Sequence, residues 1–256
     1  MSNDTSPAPS DAPLAATPAW QRFTSAAPAG DDLPTDVAVY GGDIPDEATL
    51  RLLGNLDGKR ILDLGCGVGH AAIAFARQGA KVLAVDPSAE QIAAGKDAAE
   101  AAEARVEFHQ TDPADLAFIR ADGLDAVFSA YAFTEVADLN RVFRQVHRVL
   151  RSESPLVFSL PHPTFTMFDP TADDPRRAVR SYFDREPRTW TRADAEVVDH
   201  RRTIGDVFTA LLRANFRVDQ ILEPEPRPGG HRGPHWTPLM QTVPATVIFR
   251  ARKLGI

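Results

Sequence analysis

Lys59–Gly69 reads KRILDLGCGVG. A charged start gives way to Ile61, Leu62 and Leu64, an apolar run of the length of a short buried strand. Gly65, Gly67 and Gly69 follow at alternate positions. Glycine there lets the main chain turn sharply and lets a ligand approach the backbone without meeting a Cβ. An alanine-rich helical segment comes next, so the loop falls where a strand hands over to a helix. In doubly wound α/β folds that is the place where nucleotides bind. Asp63 at the end of this strand and Asp86 at the end of the next sharpen the reading.

Outward from this stretch, strand and helix patterns alternate as a mainly parallel sheet requires. Strands are expected over 60–64, 81–85, 106–109, 125–129 and 156–160. Between them the spacing predicts a helix over 70–78 stopped by Gly79, a second opened by Ser88 with Gln91 and running through 92–102, and a third over 136–150. The third carries Leu139, Val142, Phe143, Val146 and Leu150 on one face and Arg141, Arg144 and Arg148 on the other. Upstream, Pro45 opens a predicted helix over 46–56 with Leu52, Leu53 and Leu56 on one side. Residues 1–18 are rich in Ser, Thr, Ala and Pro and read as a disordered tail; Trp20 and Phe23 are the first anchors. Downstream, residues 161–202 are rich in Pro, Asp and Arg, with Phe165, Phe168, Tyr182, Phe183 and Trp190 among them. The segment is too long for an ordinary connection and reads as a cap. Thr203 with Asp206 forms another capping box, opening a helix to Ala214. Strands at 216–222 and 245–250, joined without a helix, suggest an antiparallel hairpin closing the sheet. The expected organisation is therefore a tail (1–18), an N-terminal cap with helices (19–56) and one α/β domain (57–256) with the insertion 161–202.

Composition sets the class. The 256 residues are 43% hydrophobic and 25% charged with a formal net charge of -7, an ordinary globular balance that disfavours nonspecific binding to nucleic acid or anionic membranes. The single cysteine, Cys66, forms no intrachain disulfide and fits a reducing, cytoplasmic setting; in the glycine loop it reads as a small side chain rather than a nucleophile. No apolar run is long enough to span a bilayer, and the N-terminus lacks the basic and apolar regions of a signal peptide.

Two cofactors compete for the loop. The dinucleotide pattern G-x-G-x-x-G, counted from Gly65, needs a glycine where this chain has His70. The third glycine falls instead at Gly69, and Asp63 places a carboxylate where a ligand carrying an ammonium group would want one. Residues 61–69, Ile-Leu-Asp-Leu-Gly-Cys-Gly-Val-Gly, resemble motif I of the class I S-adenosylmethionine-dependent methyltransferases, in particular small-molecule members of the type 11/25-like groups. The resemblance covers about 40–253. It implies a Rossmann-like seven-stranded sheet with helices on both faces and a C-terminal antiparallel hairpin. It also implies S-adenosylmethionine as cofactor, leaving as S-adenosylhomocysteine. On it, Asp86, in Val-Asp-Pro-Ser, falls where the family's acid accepts the ribose hydroxyls, with Pro87 beside it. Thr111-Asp112 resembles the segment that meets the adenine amine. Tyr40, before the first strand, resembles an aromatic that reaches the methionine end. With Gly65, Cys66, Gly67 and Ser129 these are the expected cofactor residues. Ser152-Glu153-Ser154 departs from the family's Pro-Gly-Gly turn.

Methyl transfer from a sulfonium is an in-line displacement in which the protein aligns the reactants and excludes water. A hydroxyl or protonated amine acceptor also needs a base. His162, held between Pro161 and Pro163 after the fifth strand, and His200, before the helix at Thr203, are the candidates; His162 also reads as a hydrogen-bonded structural histidine, and His200 as a solvent-exposed or capping residue. Tyr131 either lines the transfer site or belongs to the core. Ser129-Ala130-Tyr131-Ala132-Phe133 is neither the Asn/Asp-Pro-Pro-aromatic motif of enzymes acting on nucleobase or glutamine amines nor the acidic metal-ligand segment of catechol-type enzymes. A metal-independent enzyme with a small-molecule acceptor, through O or N rather than C, is the expectation. His231 and His235 have ligand-like spacing, but Gly233 and Pro234 break any helix between them. The insertion is expected to select the acceptor. Its aromatics would face a planar group, and Arg176, Arg177, Arg180, Arg185 and Arg188 an anionic one, unless they are core and solvated face. No nucleic-acid or membrane partner is expected, and the chain is read as a monomer or homodimer. Alternatives are a tRNA- or protein-modifying methyltransferase, an NAD-dependent oxidoreductase, and a non-catalytic cofactor carrier.

Overall fold

The computed structural model describes residues 34–169, 172–192, 195–229, 232 and 236–255, with the backbone alone for 188–192 and 195–197. The tail 1–18, Trp20, Phe23, His231 and His235 lie outside the described residues.

Seven strands form one sheet in the order β3-β2-β1-β4-β5-β9-β8. β1 (Arg60–Leu64), β2 (Lys81–Asp86), β3 (Val106–Gln110), β4 (Ala126–Ala130) and β5 (Pro155–Pro161) are mutually parallel. β8 (Phe216–Leu222) and β9 (Thr246–Lys253) close the sheet as an antiparallel hairpin, with β9 pairing against β5. This is the expected fold class. The order reverses between β1 and β4, which opens a crevice at their carboxyl ends.

Alternation along β1 sends side chains to two cores. Leu62 and Leu64 join Val127, Phe158 and Phe216 beneath α4 (Leu139–Val149) and α5 (Ile204–Arg213). Ile61 joins Phe128, Val157 and Ile248 beneath α2 (His70–Arg77) and the segment before β1, which supplies Tyr40, Leu52, Leu53 and Leu56. α3 (Ala89–Ala101) packs on β3, and Ser88 caps it by accepting the Gln91 amide at 3.3 Å. The Thr203–Asp206 box is reciprocal, with bonds of 3.1 and 3.0 Å.

Two features differ from expectation. The helix predicted over 46–56 is a single turn, α1 (Glu47–Leu50). Arg51 adopts a left-handed conformation (φ 52°), and the amides of Leu52 and Leu53 go to the Glu47 carboxylate at 3.0 and 2.8 Å instead of to helical carbonyls. The leucines are buried as their spacing suggests, but from an irregular chain. The insertion contains a two-stranded antiparallel sheet of its own, β6 (Arg188–Arg192) with β7 (Ala195–Asp199), where no strand was expected. Among the described residues no helix is long and apolar enough to cross a membrane.

Candidate active site

The glycine loop is folded back onto the end of β2. The amides of Gly65 and Cys66 both donate to the Val85 carbonyl, at 2.7 and 2.9 Å. Asp86, the last residue of β2, accepts the Gly67 amide and the Ser88 amide, each at 2.9 Å. Gly65 sits at φ 76°, and a Cβ there would lie 2.1 Å from the Ala132 side chain. The loop thus abuts the turn after β4, a contact that only glycine permits.

Asp63 lies beneath the loop, 2% exposed. The Ala72 amide in the first turn of α2 bonds to it, and its Oδ2 has no partner among the described residues. Burial raises its pKa to about 7, with the Ala72 amide pulling it down and the Asp86 charge adding to the rise. An orphaned carboxylate oxygen beside a glycine cradle suits a ligand with a cationic group. Cys66 is no nucleophile: burial, then the charges of Asp63 and Asp86, push its thiol up.

The end of β3 closes on the same loop. The Thr111 amide donates to the Asp86 carbonyl at 3.2 Å, and the Gln110 side-chain amide donates to the Pro87 carbonyl at 3.3 Å. Asp112 is exposed and accepts the Ala114 amide at 2.7 Å. Asp63, Gly65, Cys66, Gly67, Asp86, Pro87, Thr111 and Asp112 are therefore one constellation.

Tyr40 and Ser129 stand apart from it. Tyr40 is wholly buried, its ring 5.5 Å from that of Phe128 and its hydroxyl donating to Glu47 at 2.5 Å. What the N-terminal segment presents toward the turn after β4 is Gly41, where a Cβ would lie 2.7 Å from the Tyr131 hydroxyl and 2.6 Å from that of Thr246. Ser129 is also wholly buried, and alternation from Val127 turns it into the core beneath α4 and α5, away from Asp63. Tyr131 is left-handed (φ 59°) and bonds through its hydroxyl to Thr246, a strained arrangement for a non-glycine residue.

The two histidines part company. His162 is 4% exposed; its Nδ1 accepts the Thr164 amide at 3.1 Å, and its Nε2 lies 2.7 Å from Glu223 Oε1. A ring nitrogen that accepts carries no proton, so Nε2–H donates to Glu223. Burial lowers its pKa against the opposing pull of Glu223. With both nitrogens committed, His162 has no free lone pair for a substrate proton, and the expected base role does not suit it. His200 lines a pocket between the carboxyl ends of β4 and β5 and the insertion. Its amide donates to the Thr134 carbonyl at 2.9 Å. Burial, then the neighbouring Arg202 charge, lowers its pKa, so the ring is neutral near pH 7. Leu160, Pro161 and Pro163 form the apolar wall. Arg202 ties the end of the insertion to the turn after β4 through the carbonyls of Phe133, Val136 and Ala137.

Several functional-looking residues carried no sequence signal. Glu47, Thr134 and Thr246 belong to no motif, and Arg201 was one arginine among many. Of the insertion's other arginines, Arg185 is paired with Asp206 at 2.9 Å.

Comparison with known proteins fits this geometry. The family described as "Methyltransferase domain" matches residues 61–153. The chain is 32% identical over 154 residues to the magnesium-protoporphyrin O-methyltransferase of Rhodobacter capsulatus, covering 59% of this chain and 67% of that protein. It is 46% identical to the ubiquinone biosynthesis O-methyltransferase of Nitrobacter winogradskyi over 66 residues, 26% of this chain and 25% of that one. Its structure resembles that of a putative S-adenosylmethionine-dependent methyltransferase from Listeria monocytogenes with a TM-score of 0.67 and 28% identity, over 80% of this chain and 95% of that one.

Proposed function

The chain belongs to the class I S-adenosylmethionine-dependent methyltransferases, and we propose that it methylates a small molecule bound beneath the insertion, with His200 as the base. When bound, the cofactor supplies a methyl group on a sulfonium sulfur that keeps the bonding electrons as the methyl leaves. Asp86 would hold the ribose hydroxyls and Asp63 the ammonium group, with the amides of the glycine loop around them. The fit rests on the orphaned Asp63 Oδ2 and on the cradle at Gly65.

One observation carries the acceptor side. The pocket containing His200 is walled by Thr134, two residues beyond Ala132, which abuts the glycine loop. An acceptor there would approach from over β4 and β5, where open α/β sheets bind their ligands. Insertion and β4 are joined by His200 to Thr134 and by Arg202 to three carbonyls, which fixes the wall that carries His200. A sulfonium leaves readily without a Lewis acid, and the reading is metal-independent. O-Methylation by the two relatives named above favours an oxygen acceptor.

The test is transfer of radiolabelled methyl from S-adenosylmethionine into extract separated into small-molecule, tRNA and protein fractions. Label in the small-molecule fraction is expected; label confined to tRNA or protein would overturn the reading.

A further inference from the structure

We propose that Tyr131 is a positioning residue for methyl transfer: bonded to Thr246, it holds the turn after β4 against the glycine loop and so sets where that loop seats the cofactor. This goes beyond the acceptor reading above and rests only on the cofactor site.

The backbone of Tyr131 is the outlier. Tyr131 directly follows β4 and adopts φ 59° and ψ -13°, a left-handed conformation that a bulky side chain seldom takes. There it swings the chain out of the strand and into the turn Ala132–Thr134, whose Thr134 amide returns to the Tyr131 carbonyl at 3.0 Å. The next residue, Ala132, occupies the space of the missing Gly65 Cβ, which would lie 2.1 Å from the alanine methyl. Were Tyr131 to relax to an extended backbone, Ala132 would leave Gly65, and the loop would lose its support on that side. A strained conformation of this kind persists only where its surroundings over-determine it.

Three segments distant in sequence supply that constraint. The Tyr131 amide donates to the Ser159 carbonyl of β5 at 3.0 Å. Its side chain crosses to β9, two strands over in the sheet, where its hydroxyl and that of Thr246 bond to each other. Gly41, from the segment before β1, leaves room for the meeting. A Cβ there would lie 2.7 Å from the Tyr131 hydroxyl and 2.6 Å from that of Thr246. Tyr131 is 1% exposed and Thr246 0%, so the bond lies away from water. Burial pushes the Tyr131 hydroxyl above its ordinary pKa, with Thr246 pulling it back. Near pH 7 it is a protonated phenol, which anchors the turn and is no base.

A bond that served only the core would behave differently from a brace. Removing one hydroxyl leaves the other buried without this partner and lowers Tm whatever the bond is for. Removing both costs little stability, because donor and acceptor go together. A core bond therefore loses nothing further in Tyr131→Phe/Thr246→Val, whereas a brace loses its hold on the turn even where stability returns.

The test is calorimetric titration of S-adenosylhomocysteine into wild type, Tyr131→Phe, Thr246→Val and the double variant, with thermal melts of each. Tm of the double variant should lie closer to wild type than that of either single variant. Its affinity should nonetheless stay about 5- to 150-fold weaker than wild type, with KM for S-adenosylmethionine raised alongside. Thr246→Ser, which keeps the hydroxyl, should bind as wild type does. Amide exchange in wild type needs no variant. S-Adenosylhomocysteine should slow exchange at Tyr131 and Thr134 more than at Leu254, whose amide bonds to the Asn215 carbonyl beyond the other end of β9. Wild-type affinity in the double variant, or equal slowing at the three amides, overturns the inference. Wild type that does not bind S-adenosylhomocysteine overturns the cofactor site as well; wild type that binds, beside a double variant that binds equally, fails this inference alone.

Discussion

His200 donates its backbone amide to the carbonyl of Thr134 at 2.9 Å, across 66 residues of sequence. That bond fixes the end of the insertion to the turn after β4, and His200 lines the pocket between them. Because the link uses backbone atoms, the side chain can be changed without breaking it. His200→Asn should lower transfer of label to small molecules by about 10²–10⁴ while leaving S-adenosylhomocysteine affinity as it was. In wild type the rate should stay on its plateau to below the ordinary histidine range, since burial and Arg202 lower the pKa and keep the base form populated. A pH–rate profile of both proteins checks this.

Asp63 gives the cofactor site a pH dependence of its own. A carboxyl held at about 7 must ionise to bind an ammonium group, so affinity for S-adenosylhomocysteine should rise as pH passes upward through 7 and level off beyond it. Asp63→Asn should flatten that rise. The apo protein should behave oppositely. The folded pKa lies above the unfolded value, so the stabilisation from protonated Asp63 is full below the unfolded pKa and is lost as pH rises to about 7. Calorimetric titrations and urea melts across the same pH range measure both.

Gly65→Ala should disable the loop. The new methyl would lie 2.1 Å from the Ala132 side chain at φ 76°. Relief requires moving either the glycine loop or the turn after β4, at about 1–3 kcal/mol. Lower Tm together with lost cofactor binding is expected, read by thermal melts with and without S-adenosylhomocysteine.

Glu47→Ala should destabilise the N-terminal segment more than its single helical turn suggests. Glu47 is 6% exposed and accepts the Tyr40 hydroxyl and the amides of Leu52 and Leu53. Removing the carboxylate leaves three buried donors unpaired, at about 1–3 kcal/mol each. Glu47→Gln, which keeps one acceptor oxygen, should recover part of the loss in urea denaturation.

These cases also mark what the sequence discloses. The glycine loop and the caps at Ser88 and Thr203 are local, with every decisive residue within a few positions of the next; Asp86, 19 positions from the Gly67 amide it accepts, is placed by the resemblance. The closing hairpin was readable because no helical period separates its strands. The end of α1 was not, since apolar spacing cannot report that Arg51 turns left-handed or that a glutamate side chain replaces helical carbonyls. His162 looked like a base because nothing nearby in sequence shows that Glu223, 61 positions on, occupies its second nitrogen. Tyr40 and Ser129 were placed by resemblance, which carries a position in the chain but not the direction in which a side chain points.

The central claim is that the glycine loop and the end of β2, held together by Asp86, seat the cofactor. Calorimetric titration of S-adenosylhomocysteine into wild type and Asp86→Ala tests it most directly. A charge-assisted bond is worth about 1.5–3 kcal/mol, so the account predicts one-to-one binding by wild type and affinity about 10- to 150-fold weaker in the variant. Equal affinity in the two proteins would contradict it.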